Sequence, residues 1–340
     1  MLEFSRVLRD WYSVQKRDLP WRNTDDPYKI WLSEIILQQT RVDQGIAYYF
    51  KFIDKYPTVL ALANADEMEV LNLWQGLGYY SRARNLHASA KLIASKLNGE
   101  FPQNYQEILQ LKGVGSYTAA AIASFAYGEK IAVVDGNVYR VLSRIFGIET
   151  PIDSTNGKKQ FAELAQELIS DEQPGIHNQA IMEFGALQCV PQNPDCEQCV
   201  FNSKCFAFEK KTIKTLPVKS KKIAVKKRFF HYLIFKWENK IILQKRNSND
   251  IWAHLYEFPL IETSESNKPL IFADYKMKEP RFSSEIVKHI LSHQHLFVQF
   301  HVFDCKPQKT EQNWLEIELD EFENYPIPRV IDRFLPQLFS

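Results

Sequence analysis

Across residues 1–209 apolar positions recur every three or four residues, in runs over 2–15, 28–38, 44–53, 67–74, 81–97, 104–110, 116–127, 136–146, 158–169 and 176–188. That period predicts helices. The runs break at Asp26-Pro27, Tyr56-Pro57, Asn98-Gly99, Phe101-Pro102, Gly128 and Pro174-Gly175. There proline removes a helical donor or glycine frees the backbone. The expectation for 1–209 is an all-α N-terminal domain of short helices. Beyond residue 229 the pattern shifts to short stretches rich in aromatic and branched residues, 229–237, 240–246 and 296–303, which read as strands. Glu238-Asn239 separates the first two as a tight hairpin. Helical patterns at 283–290 and 328–338 make residues 229–340 a predicted α+β C-terminal domain.

A length of 340 residues agrees with two domains, since it exceeds what one hydrophobic core organises. No apolar run is long enough for a transmembrane helix, and the opening MLEFSRVLRDWY lacks the apolar core of a signal peptide. A soluble cytoplasmic protein with no membrane partner is expected. The net charge of +1 argues for no polyanionic partner by itself. Its distribution says more, because residues 210–228 hold nine Lys or Arg and no acid. This stretch has no helical or strand period and reads as an extended basic linker. It could lie along a polyanion or serve as a solvated hinge.

Of the five cysteines, Cys189, Cys196, Cys199 and Cys205 follow a C-x6-C-x2-C-x5-C spacing. In a reducing compartment such a cluster reads as metal ligation, and four thiolates suit either a tetrahedral zinc or an iron–sulfur cluster. Spacing alone does not choose. Cys305 stands apart and reads as a small buried hydrophobe.

Gly113-Val114-Gly115 joins two helical runs. A Gly-x-Gly turn opening a helix presents backbone N–H groups to an anion such as a DNA phosphate, although a plain glycine turn between core helices looks the same. Asp135 ends the apolar run 131–134 at a helix start, the usual place of an N-cap. Glu34 is the single acid in WLSEIILQQT, so it is either a surface residue or an acid held near low dielectric with a raised pKa. Gln39 follows it among amides able to hydrogen-bond bases. Leu77-Gly78-Tyr79-Tyr80-Ser81-Arg82 sets apolar and aromatic residues beside arginine, which suits insertion into a base stack or a plain helix-start turn.

Together LPWR (19–22), WLSEIILQQTRV (31–42), LWQGLGYYSRARNLH (73–87), LKGVGSYTA (111–119), VVDGNVYRV (133–141) and the cysteine run resemble the helix–hairpin–helix DNA glycosylases, and within them the adenine-specific branch. The resemblance spans nearly the whole chain. It implies a 4Fe–4S cluster on Cys189, Cys196, Cys199 and Cys205, and a partner in double-stranded DNA carrying adenine opposite 8-oxoguanine or guanine. A nucleoid-associated monomer is expected. Tyr117 stands where the sibling pyrimidine glycosylases, of the endonuclease III type, carry a lysine nucleophile. A phenol forms no imine, so a monofunctional enzyme is implied.

The resemblance also distributes roles. Glu34 would be the general acid toward adenine. Asp135 would stabilise or capture the oxocarbenium-like sugar. Tyr117 and Asn137 would orient sugar and water. Arg22 and Gln39 would line the pocket or contact the opposing bases, Leu77 and Tyr79 would enter the duplex, and Gly113, Val114 and Gly115 would hold phosphate. The C-terminal domain resembles a Nudix fold whose catalytic acidic box is absent. Its Leu291-Ser292-His293 matches a lesion-reading Phe-Ser-His loop with leucine in place of phenylalanine, which leaves Ser292 and His293 as readers of 8-oxoguanine. The competing expectations are a pyrimidine glycosylase and a non-catalytic lesion-binding protein.

Overall fold

A computed structural model describes residues 2–220, 225–247, 249–265, 279–291, 293–308 and 310–336. It divides into two compact units, Met1–Asn64 with Asn85–Lys221, and Ala65–Arg84 with Lys222–Ser340. No described helix is long and apolar enough to cross a membrane.

The first unit is helical. It contains α1 (Leu2–Gln15), α2 (Pro27–Leu37), α3 (Val42–Lys55) and α4 (Val59–Asn64), followed after residue 84 by most of a helix that spans Ser81–Lys96. Then come α7 (Tyr105–Ile108), α8 (Ser116–Tyr127), α9 (Gly136–Phe146), α10 (Thr155–Leu168), α11 (Pro174–Leu187) and α12 (Phe206–Glu209). With α5 (Glu67–Leu73) in the other unit, Ser81–Lys96 is α6. The breakers act as expected: Asp26 caps α2 ahead of Pro27, Pro174 opens α11, and Gly128 closes α8 in the left-handed conformation. The short α4 escaped the period, because six residues hold fewer than two turns of pattern. Helices α1, α8 and α9 pack on α11 around Leu8, Val138, Leu142, Phe161 and Phe184, and α2 packs on α8.

The second unit is a mixed sheet with α5 and α13 (Arg329–Asp332). Its strands are β1 (Lys226–Trp237), β2 (Lys240–Lys245), β3 (Tyr256–Glu257), β4 (Leu260–Thr263), β5 (Phe282–Ser283), β6 (Val287–Ile290), β7 (Gln294–Phe303) and β8 (Trp314–Glu318). β1 and β7 run parallel, from Lys226 opposite Gln294 to Phe235 opposite Phe303. The expected hairpin is present, with Trp237 opposite Lys240 across Glu238-Asn239. Period two sorts β1: Phe230, Tyr232 and Ile234 enter one apolar cluster, Leu233 and Phe235 another.

Three expectations need correction. Residues 283–290 are not helical: β5 and β6 pair antiparallel with β7, because an apolar pattern at 286, 287 and 290 serves a strand equally well once a partner edge is present. The basic segment does not stay a linker to its end, since Lys226–Arg228 open β1 and Arg228 is buried against Asp250 and Glu262. Cys305, just past β7, is exposed.

Candidate active site

Helix α2 is buried on every side from Ile30 to Ile36, so its one acid has no solvent face to occupy. Glu34 is 6% exposed and lines a cavity of about 280 Å3 with Asp135, Tyr117, Asn137, Arg22 and Glu183. Burial pushes its carboxyl up to about 7; nearby Asp135 adds to the rise, while Tyr117 and Arg22 oppose it. The Tyr117 hydroxyl lies 3.8 Å from the Met182 thioether, and it has one proton to give. A carboxylate at Glu34 is the better acceptor, so this phenol responds to the state of Glu34.

Asp135 reaches the same cavity as the N-cap of α9. It accepts from the Val138 N–H at 2.8 Å and from Asn137 Nδ2 at 2.9 Å. Burial raises its pKa while these bonds and Arg140 pull it down. The loop before it is pinned by Asn178, whose amide donates to Ile131 O and Ser124 Oγ and accepts from the Val133 N–H. The site therefore offers an acid that burial leaves protonatable despite the Tyr117 hydroxyl, and a carboxylate met by the N–H groups of Val138 and Asn137. That difference lets one hold a proton while the other is ionised.

Glu183 on α11 closes the pocket. Its carboxylate takes paired hydrogen bonds from Arg22 at 2.9 and 2.7 Å and from Arg17 at 2.9 and 2.6 Å. Burial opposes its charge, but the two guanidinium groups prevail and hold it at about 2. Arg22 is thereby fixed in the wall. Gln39 is exposed beyond α2, with a left-handed backbone (φ 56°), and does not line the cavity.

The expected hairpin is α7, a turn, and α8. Gly113 holds φ 80°, and a β-carbon there would lie 2.6 Å from that of Asn85, so both conformation and packing demand glycine. Val114 is buried under the turn, while Gly113, Gly115 and Ser116 are exposed and leave the N-terminus of α8 open to solvent.

Cys189, Cys196, Cys199 and Cys205 line one cavity with Ile145, Phe184 and Phe208. Among the described residues no group of three His, Cys, Asp or Glu stands ready for a single metal ion. Buried Arg144 donates to Cys189 Sγ at 3.5 Å and to the carbonyls of Val190 and Pro191; the Phe201 N–H approaches Cys199 Sγ at 3.4 Å. Arg140 binds the Cys189 carbonyl and Asn137 Oδ1, so hydrogen bonds run unbroken from this loop to Asp135.

Residues 32–170 match the HhH-GPD superfamily of base excision DNA repair proteins, and residues 231–337 match the NUDIX domain. An adenine DNA glycosylase of Buchnera aphidicola (subspecies Baizongia pistaciae) is 37% identical over 304 residues, 87% of this chain and 85% of that relative. The chain belongs to the adenine DNA glycosylase family. The Homo sapiens adenine DNA glycosylase is 45% identical over 216 residues, 61% of this chain and 40% of its own length. The structure of a thermostable thymine-DNA glycosylase superposes with a TM-score of 0.57 at 33% identity, over 61% of this chain and 96% of that one. As expected from its sequence, this member pairs a helical HhH-GPD domain with a Nudix-like sheet domain and is a DNA glycosylase of base excision repair.

In the second unit of this glycosylase, Leu77 is buried, whereas Tyr79 is 46% exposed at φ 49°. Leu291 packs on the sheet core, its N–H bonding Gln294 O in the turn between β6 and β7. His293 is exposed there, and Ser292 lies outside the described residues. Glu183, Arg17, Arg140, Arg144 and Asn178 were not singled out from sequence. Glu183 carried the same signal as Glu34, one acid in the apolar helical run MEFGALQ.

Proposed function

We propose that this glycosylase removes adenine opposite 8-oxoguanine, or guanine, from duplex DNA by hydrolysis alone. The observation that carries the reading is Glu34, buried at a pKa of about 7 in one cavity with a hydrogen-bonded Asp135. Adenine leaves poorly as an anion. With the base flipped into the pocket at a cost of a few kcal/mol, Glu34 gives its proton to a ring nitrogen, N7 by family analogy. The C1′–N9 bond then breaks with its electron pair going to the neutral purine. Asp135, as carboxylate, stabilises or captures the oxocarbenium-like sugar, and water adds at C1′ while its proton restores Glu34. Tyr117 and Asn137 position these groups, and a tyrosine at 117 supplies no amine for strand cleavage.

On this reading residues 1–64 with 85–209 excise the base, the basic stretch from 210 to β1 connects, and the unit that carries 65–84 and the sheet reads the opposite base through Ser292 and His293. The turn Gly113-Val114-Gly115 holds a phosphate, Tyr79 enters the stack with Leu77 supporting it from the interior, Arg22 walls the pocket and Gln39 faces the opposing bases. The four cysteines fit a 4Fe–4S cluster: they surround one apolar cavity with N–H and guanidinium donors aimed at sulfur. Such a cluster would supply four bonds that fold the 189–205 loop. The protein acts as a monomer in the DNA-containing compartment.

Single-turnover base release tests this. Duplexes with adenine opposite 8-oxoguanine should lose adenine and break only after alkali. Asp135→Asn, which keeps a capping side chain, should bind the duplex yet release adenine about 10^2- to 10^4-fold more slowly. Full activity of that variant, or direct nicking at thymine glycol, would reject the reading.

A further inference from the structure

The loop that ends in Tyr79 holds an unfavourable backbone. Gly76, Gly78 and Tyr79 all have positive φ, at 96°, 72° and 49°. For tyrosine this conformation costs about 1–2 kcal/mol, and such strain persists only where surroundings over-determine it. Part of the support is local. Arg82 donates to the carbonyls of Leu77 and Gly78 and lies 5.0 Å from the Trp74 ring and 5.8 Å from Tyr79, while Trp74 Nε1 donates to Gly78 O at 3.0 Å.

Further support comes from residues 253 and 324–329 of the same compact unit. Arg329 Nη1 donates to Gly76 O at 2.8 Å, and the buried Tyr80 hydroxyl donates to Ile327 O at 3.2 Å. Asn72 Nδ2 donates to Asn324 O at 2.7 Å, and Arg84 Nη1 to Ala253 O at 2.6 Å. Each bond ends on a main-chain carbonyl, so it fixes backbone position. Donors come from both partners. Residues 72–84 are clasped by 324–329 and 253 rather than merely adjacent to them.

We infer that Arg329 and Tyr80 are positioning residues for base release: they hold Tyr79 in the geometry in which it enters DNA. The inference rests on the proposed role of Tyr79 as the wedge. It ties the wedge to the unit that also carries His293, so duplex opening and reading of the opposite base are performed by one body.

The test compares Tyr80→Phe, which removes one oxygen, Arg329→Ala, their combination, and Tyr79→Ala in the full-length protein. Thermal melting identifies the folded variants. Single-turnover adenine release is then measured with 2-aminopurine placed beside the mispair, whose fluorescence rises as its neighbour is unstacked. The combined variant should release adenine about tenfold more slowly and lose the fluorescence rise. In a Tyr79→Ala background it should cost nothing further, and Arg329→Lys, which keeps a donor for Gly76 O, should recover most of the rate. Unchanged release and fluorescence in a folded Tyr80→Phe/Arg329→Ala protein, or losses that add fully to those of Tyr79→Ala, would overturn the inference. If Tyr79→Ala alone changes neither signal, the wedge role itself fails and the inference falls with it. If Tyr79→Ala abolishes both while the clasp variants keep them, only the inference fails.

Discussion

Gly185 on α11 lies against Asn137 at the start of α9 so closely that a β-carbon at 185 would stand 2.6 Å from Asn137 Cβ. Asn137 in turn holds Asp135 Oδ2 at 2.9 Å. The position of the candidate carboxylate thus depends on a missing side chain one helix away. Gly185→Ala must push α9 aside, at a cost of about 1–3 kcal/mol. The expected outcome is a lowered melting temperature together with a loss of base release larger than the loss of duplex affinity, read by parallel melting, single-turnover and binding measurements. A variant that is destabilised yet cleaves at the full rate would show that Asp135 tolerates the shift.

Glu34 works only while protonated in the proposed mechanism. Adenine release should therefore fall about tenfold per pH unit above its pKa of about 7, and fall again on the acid side as Asp135, whose own pKa burial raises, takes up a proton. The same group carries a stability signature. Its folded pKa lies above the ordinary 4.5, so its contribution is complete below pH 4.5 and is lost as pH rises through about 7. The displacement corresponds to about 3 kcal/mol. Glu34→Gln, neutral at every pH, should be inactive yet melt above the wild type at pH 8. A lower melting temperature at that pH would contradict a buried, proton-holding Glu34.

Glu183 has the opposite sign. Its folded pKa of about 2 lies below 4.5, so its stabilisation is present above pH 4.5 and lost as pH falls toward 2. Glu183→Gln should destabilise the protein by about 3 kcal/mol at pH 7, since it leaves Arg22 without its buried counter-ion. That difference should shrink in melts taken between pH 4.5 and 2. A constant difference across that range would assign the loss to packing.

The second unit contains a directed chain of hydrogen bonds across four strands. Thr263 Oγ1 gives its proton to Glu265 O, so it accepts from His231 Nε2 at 3.3 Å; His231 Nδ1 then accepts from His301 Nε2 at 3.2 Å, and His301 Nδ1 accepts from Ser283 Oγ at 2.9 Å. Each imidazole has one proton to spend, and both are neutral. Burial lowers both pKa values, that of His301 to about 4. Because the folded pKa is depressed, this stability is present above pH 6.5 and is lost as pH falls toward 4. Melting should weaken over that window, and His231→Phe with His301→Phe should remove much of the slope. An unchanged slope would assign the acid sensitivity to other groups.

Helix positions were readable because their signals are local. Pro27, Gly128 and Pro174 mark ends through their own backbone chemistry, and an apolar repeat needs no partner to be seen. The 286–290 stretch was misread because its apolar spacing is ambiguous until β7 lies beside it. Glu34 and Asp135 stood out as acids in apolar settings. Glu183 carried the same signal without a motif around it, and its role emerged only from two arginines that reach it from 161 and 166 residues away.

The sequence by itself determined where the longer helices and the 229–237, 240–246 and 296–303 strands lie, which thiols and carboxylates the chain carries, and which family it belongs to, since each depends on residue identity or short-range spacing. The tertiary structure alone decided that Glu34 has no solvent face, that Asp135 is met by the Asn137 and Val138 donors, and that residues 65–84 pack with the C-terminal sheet. A carboxyl's proton affinity depends on the dielectric and donors around it, and a loop's strain on what clasps it. Both are supplied by residues distant in the chain.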